Sequence, residues 1–192
     1  MIGHLNGRLA EKNPTELVIE CGGVGYEVRI SLNTYSAIGN DEHLKIFTRL
    51  IVREDAHLLY GFHSKDEREM FGHLTSVSGI GPNTAMIMLS SLVPEQIAHA
   101  IQSEDVRTIQ GIKGIGAKTA QRVIVDLKDK MLKFAGVSEN LFGQNNTNRI
   151  DALTALVSLG FERKSAEKAL DKVSTGGDDS VEFLIKHALK IL

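Results

Sequence analysis

Apolar and polar positions alternate along the first 62 residues and then change to helical spacing, so the chain predicts strands first and helices afterwards. The runs ELVIEC, residues 16–21, and YEVRI, residues 26–30, bracket Gly22-Gly23-Val24-Gly25, the pattern of a hairpin. A long alternating run, LKIFTRLIVR over 44–53, leads through Glu54-Asp55 into AHLLYGF, residues 56–62. With the opening IGHLNGRLA, residues 2–10, these segments predict five strands. Five short strands suit a small barrel of the oligonucleotide-binding (OB) type or a partly open sandwich.

The helical part opens at Ser64-Lys65-Asp66-Glu67, which has the form of a capping box. It is dominated by a repeat. LTSVSGIGPNTAMIMLSSL over 74–92 recurs 35 residues later as IQGIKGIGAKTAQRVIVDL over 109–127. Gly79, Ile80, Gly81, Thr84, Ala85 and Leu92 return as Gly114, Ile115, Gly116, Thr119, Ala120 and Leu127. Each copy predicts helix, Gly-Ile-Gly turn, helix, with Pro82 and Pro94 in first turns and Ser103 as the cap of the helix entering the second turn. Helix is expected to about Phe134. Residues 135–148 hold two glycines, four asparagines and no period, and predict a flexible linker. From 149 to 192 three apolar faces predict three short helices, separated by Gly160 and Gly176-Gly177. The expected organisation is thus α+β and multidomain: a barrel over 1–63, a paired-hairpin domain over 64–134, a linker over 135–148 and a three-helix domain over 149–192.

Charge refines this reading. The whole chain carries −2, yet residues 107–133 hold seven basic side chains against two acidic ones, a local +5. A basic stripe on a mildly acidic protein points to a partner that is anionic at one face. The repeated turn supplies a second anion signal, because glycines at a helix start leave amide N–H groups at the positive end of the helix dipole. The single cysteine, Cys21, and the lack of a signal-peptide pattern fit a reducing cytoplasm.

Several chemistries do not fit. GIKGIGAKT over 111–119 resembles a Walker A loop, but Ala117 stands where its lysine belongs. The histidines are scattered, without a zinc-ligand spacing, and no GxSxG motif occurs. The Glu54-Asp55 pair is too small a set of carboxylates for a two-metal site. No cofactor is expected.

Taken in order, MIGHLNG, GGVGYEV, VREDAHLLYGF, GIGPNTA, GIGAKTAQRVIVDLKDK and LVSLGF resemble the RuvA family of bacterial Holliday-junction-binding subunits over the full length of the chain. The resemblance implies an OB-fold barrel, a tandem helix-hairpin-helix domain that grips DNA phosphates without reading sequence, and a mobile C-terminal domain. It implies a fourfold tetramer holding an open, square-planar junction, with no chemistry of its own. The ATPase would be the hexameric RuvB ring, docked on the C-terminal domain, and the RuvC resolvase would join a larger complex. The implied phosphate contacts are Gly79, Ile80, Gly81, Gly114, Ile115, Gly116, Lys118, Thr119 and Arg122, and Glu54 and Asp55 match an acidic pin at the crossover. LVSLGF is also similar to ubiquitin-associated (UBA)-like bundles, and the partner contacts expected on the C-terminal domain are Leu156, Leu159, Gly160, Phe161 and Leu184. Two departures stand out: family members often carry lysine where this chain has Asn83 and Ala117. The alternatives are a helix-hairpin-helix repair enzyme of glycosylase type, with Asp126 or Asp129 as its acid, and a protein-interaction adaptor.

Overall fold

The computed structural model describes residues 1–39, 41–133, 144–173 and 180–192, which form two compact units, Met1–Ala135 and Gly136–Leu192. The first unit opens with five strands, β1 His4–Asn13, β2 Glu16–Cys21, β3 Val24–Ile30, β4 His43–Val52 and β5 His57–Phe62. They close into a barrel in the order β1-β2-β3-β5-β4, with β4 returning to β1. Closure is made by a short parallel pairing of β3 with β5, Arg29 opposite Tyr60 and Ile30 opposite Gly61. A side chain at Gly61 would place its Cβ 2.5 Å from Val28 and 2.7 Å from Ile46, so glycine is what lets the barrel shut there. Alternate residues Leu17, Ile19, Val28, Ile30 and Ile46 fill the interior. The barrel decides between the two all-β expectations, since closure leaves no sheet edge to manage.

Two details differ from the sequence reading. The β2–β3 turn is Gly22-Gly23 alone, at φ +59° and +83°, while Val24 and Gly25 already lie in β3 opposite Cys21 and Glu20. Two consecutive positive φ values are what a two-residue hairpin turn demands, so the glycine run shortens to its essential pair. Between β3 and β4 lies a helix not foreseen, α1 Leu32–Ala37, capped by Ser31, whose side chain accepts from the Thr34 amide. Six residues are too few to display helical periodicity; the serine was its one sequence signal.

Helices α2 Lys65–Thr75, α3 Pro82–Ser91, α4 Pro94–Gln102, α5 Val106–Gln110 and α6 Ala117–Leu127 follow, and the last tightens into a 3-10 turn over Lys128–Lys133. Phe134, the expected helix end, lies outside the described residues. Ser64 caps α2 by accepting from the Glu67 amide at 3.0 Å. The reciprocal half of the capping box is not made. The Glu67 carboxylate is buried and instead accepts from Ser31 Oγ and Thr34 Oγ1, each at 2.5 Å, and from the His63 amide at 3.3 Å. Ser103 closes α4 and does not open α5: its amide donates to His99, Glu104 turns left-handed at φ 55°, and Asp105 caps α5 by accepting from the Thr108 amide. Tyr60 and Phe62 of β5 stack at 5.1 and 5.0 Å on Phe71 of α2 and belong to the core of the helices, so barrel and helices are packed as one body.

The second unit holds α7 Gln144–Ser158, α8 Arg163–Val173 and α9 Val181–Ala188 around Ala152, Leu156, Ala166, Leu170, Leu184 and Ala188. Residues 135–143 of the expected linker and Gly176-Gly177 lie outside the described residues. Residues 144–148 are the first turn of α7, not linker: asparagine is a mediocre but tolerated helix former beside a long apolar face. Among the described residues no helix is long and apolar enough to cross a membrane.

Candidate nucleic-acid interface

The two Gly-Ile-Gly turns have one geometry. Gly79 and Gly114 take φ +94° and +90°, and Gly81 and Gly116 begin α3 and α6 at φ/ψ −82°/169° and −83°/166°. The central isoleucines, Ile80 and Ile115, turn inward and are buried, and their amides donate to Val77 and Ile112 at 3.0 and 3.1 Å. In both, the side chain plugs the hairpin and the amide is already bonded within the turn. The open donors lie one step further on. The first helical amides to find a partner are Ala85, bonded to Gly81, and Ala120, bonded to Gly116. Everything between sits in the unpaired first turn.

Those first turns lack the usual remedy. Ser31, Ser64, Asp105 and Ser180 cap their helices with side-chain oxygens, whereas Gly81 and Gly116 offer none. A Cβ added at either glycine would meet nothing within 4 Å, so the space before each helix is open. The two helix starts thus share one uncapped, open geometry, the arrangement that an anion site at a helix start requires.

The surroundings are unequal. Helix α6 carries exposed Lys118 and Arg122, the latter 3.7 Å from Asp126 on the next turn, with Thr119 half-buried behind them. Helix α3 carries no basic residue and begins with Pro82, which has no amide proton to give. Asn83 accepts from the Tyr60 hydroxyl at 3.3 Å, and Ala117 contributes only its backbone. Part of the basic stripe is matched, since Lys128 forms an ion pair with Glu104. That pair holds the Glu104 carboxyl below the usual carboxylate range and the Lys128 ammonium above its own, first by the hydrogen bond and then by charge.

Glu54 and Asp55 are exposed at the tip of the β4–β5 hairpin, which closes with Val52 opposite His57 and the Arg53 amide donating to Ala56 at 2.8 Å. Among the described residues no group of three or more His, Cys, Asp and Glu side chains is placed to hold a metal. Asp126 and Asp129 are exposed, and Asp126 faces Arg122, an arrangement of a solvated helix surface and not of a buried catalytic acid.

In the second unit Leu159 is 63% exposed, Gly160 ends α7 at φ +98°, and Phe161 packs partly against the bundle. Leu156 and Leu184 are buried in its core. What sequence reading missed outright is the Tyr60–Asn83 contact and the buried role of Glu67, because both are made between segments far apart in the chain.

Comparison with known proteins agrees over the whole length. The family described as RuvA N terminal domain matches residues 1–61, SAM-like Helix-hairpin-helix tandem matches 71–129, and RuvA, C-terminal domain matches 147–192. Among similar proteins, the Holliday junction branch migration complex subunits RuvA of Flavobacterium psychrophilum, Christiangramia forsetii and Cytophaga hutchinsonii are 56%, 55% and 50% identical, each alignment covering 100% of both chains.

Proposed function

The chain belongs to the RuvA family, and from that premise we propose that it binds four-way junction DNA by structure and not by sequence, as a non-catalytic subunit of a cytoplasmic branch-migration complex in recombination and repair. The observation that carries this reading is the pair of uncapped helix starts at Gly81 and Gly116. Backbone N–H groups and Lys118, Thr119 and Arg122 are suited to phosphate oxygens, which carry no sequence information. In a fourfold assembly the Glu54-Asp55 tips would meet near the axis, where eight carboxylates repel phosphates from the crossover while the basic hairpins hold the arms further out. The exposed Leu159 edge of the C-terminal unit is the surface offered to a RuvB-type ATPase. RuvC would join the same assembly.

A gel shift with four-way junctions of equal geometry and different sequence tests the binding mode. Equal affinities are expected, and a strong preference among sequences contradicts it. Truncation after Phe134 is expected to leave junction binding and tetramer formation intact, as read by mass measurement, and to abolish stimulation of the ATPase partner. Normal stimulation by the truncated protein would remove the tail from that role.

A further inference from the structure

The first hairpin lacks every cation that the second has, yet its helix start is built to the same geometry. The polar side chains of its first turn are Asn83 and Thr84, and of these Asn83, the second residue of α3, is tied to the barrel. The ring of Tyr60 is fully buried and stacked 5.1 Å from Phe71, and its hydroxyl donates to Asn83 Oδ1. Tyr60 lies on β5, the strand that leaves the Glu54-Asp55 turn at His57, and it is held in register with Arg49 on β4 and Arg29 on β3. A carboxamide is ambivalent toward an anion, because its oxygen repels a phosphate and its N–H groups attract one. With the oxygen occupied by the hydroxyl, the exposed end of Asn83 is left with donors only.

We propose that Tyr60 is a positioning residue for the first hairpin: it fixes the Asn83 carboxamide with its N–H groups toward the bound phosphate, giving a neutral donor where the second hairpin uses Lys118. This rests on the junction-binding reading above. The phosphate grip of α3 is thereby registered against the same strand that carries the acidic tip, through one contact between a rigid ring and the helix start. Binding at the first hairpin then depends weakly on salt, since neutral donors release no counterions of their own beyond those displaced by the approach of the protein.

The test uses the full chain and a synthetic four-way junction, titrated at several salt concentrations with native protein, Tyr60→Phe, Asn83→Lys and the double variant. Tyr60→Phe is expected to weaken binding about two- to tenfold, the range of one neutral hydrogen bond, with the salt slope unchanged. In the Asn83→Lys background the same substitution is expected to cost nothing, because a lysine needs no hydroxyl to orient it. Equal losses in both backgrounds would overturn the proposal and leave Tyr60 a packing residue. If Tyr60→Phe does not fold, Asn83→Asp and Asn83→Ala decide: the aspartate is expected to bind more weakly than the alanine, and equal affinities overturn the proposal. Lys118→Ala separates the two levels. A loss at Lys118 with no effect at Tyr60 or Asn83 sinks only this inference, while no loss at Lys118 sinks the hairpin reading on which it rests.

Discussion

The hydroxyl of Thr34, at the start of a helix between two barrel strands, donates to the carboxylate of Glu67 in the first turn of α2 at 2.5 Å. Ser31 donates to the other carboxylate oxygen, and Glu67 is 4% exposed. The barrel and the paired hairpins are therefore joined by a buried acceptor with its donors in place, beside the Tyr60, Phe62 and Phe71 stack. Removing the carboxylate strands two hydroxyls. Glu67→Ala is expected to destabilise the first unit by about 2–4 kcal/mol, from the cost of unpaired buried polar groups and of the cavity left behind. Chemical denaturation checks it, and a change below about 0.5 kcal/mol, the scale of an ordinary surface substitution, would mean that water replaces the carboxylate at no cost.

The glycines of one turn are predicted to separate stability from binding. Gly114→Ala forces a Cβ into φ +90° and is expected to cost about 1–3 kcal/mol of stability. Gly116→Ala meets no steric obstacle and a backbone that alanine accepts, so stability should change by less than about 1 kcal/mol. Its methyl group nevertheless stands in the open space before α6, and junction affinity should fall. Melting curves and titrations on both variants would reveal the split, and unchanged affinity in Gly116→Ala would place the phosphate elsewhere.

Glu104 and Lys128 give the pH dependence its sign. The Glu104 carboxyl is lowered, so the stability it contributes is present above the ordinary carboxylate pKa and is lost as pH falls through the folded value. The Lys128 ammonium is raised, so its share is present below the ordinary lysine pKa and lost as pH rises through the folded value. Between these limits the pair is intact, and being exposed it is small and screened by salt. Glu104→Gln is expected to release Lys128 to the basic stripe, tightening junction binding and steepening its salt dependence. Tighter binding without a steeper slope would refute the release.

Neutralising the hairpin tip should change selectivity more than folding. Glu54→Gln with Asp55→Asn is predicted to leave the melting temperature unchanged, since both side chains are exposed, and to tighten binding to linear duplex more than to four-way junctions. A paired titration at fixed salt measures the ratio, and an unchanged ratio reduces the two residues to a polar turn.

Much of this was legible in the chain. Alternation located all five strands because that signal is local, and the 35-residue repeat located both helix hairpins because its signal is made twice. The register of the barrel was not legible, since closure depends on Gly61 meeting Val28 and Ile46 across strands. Nor was the inward turn of Ile80 and Ile115: the repeat marks them as important but cannot say whether side chain, amide or neither meets a ligand. Ser103 misled because a serine near a helix boundary closes one helix as readily as it opens the next, and only the left-handed Glu104 decides between them. Glu67 reads as half of a capping box, and its burial became visible only with α1 folded beside it.

Paired hairpins that hold DNA by its phosphates must show it in their response to salt. The most direct test is therefore the salt dependence of four-way junction binding in native protein, Lys118→Ala and Arg122→Ala. Log affinity is predicted to fall steeply and linearly with log salt, and each variant to flatten that line by about 0.9 for every phosphate a subunit no longer neutralises, with no change in preference among junction sequences. Native and variant lines of equal slope, or a sequence preference that appears when either residue is removed, would contradict it.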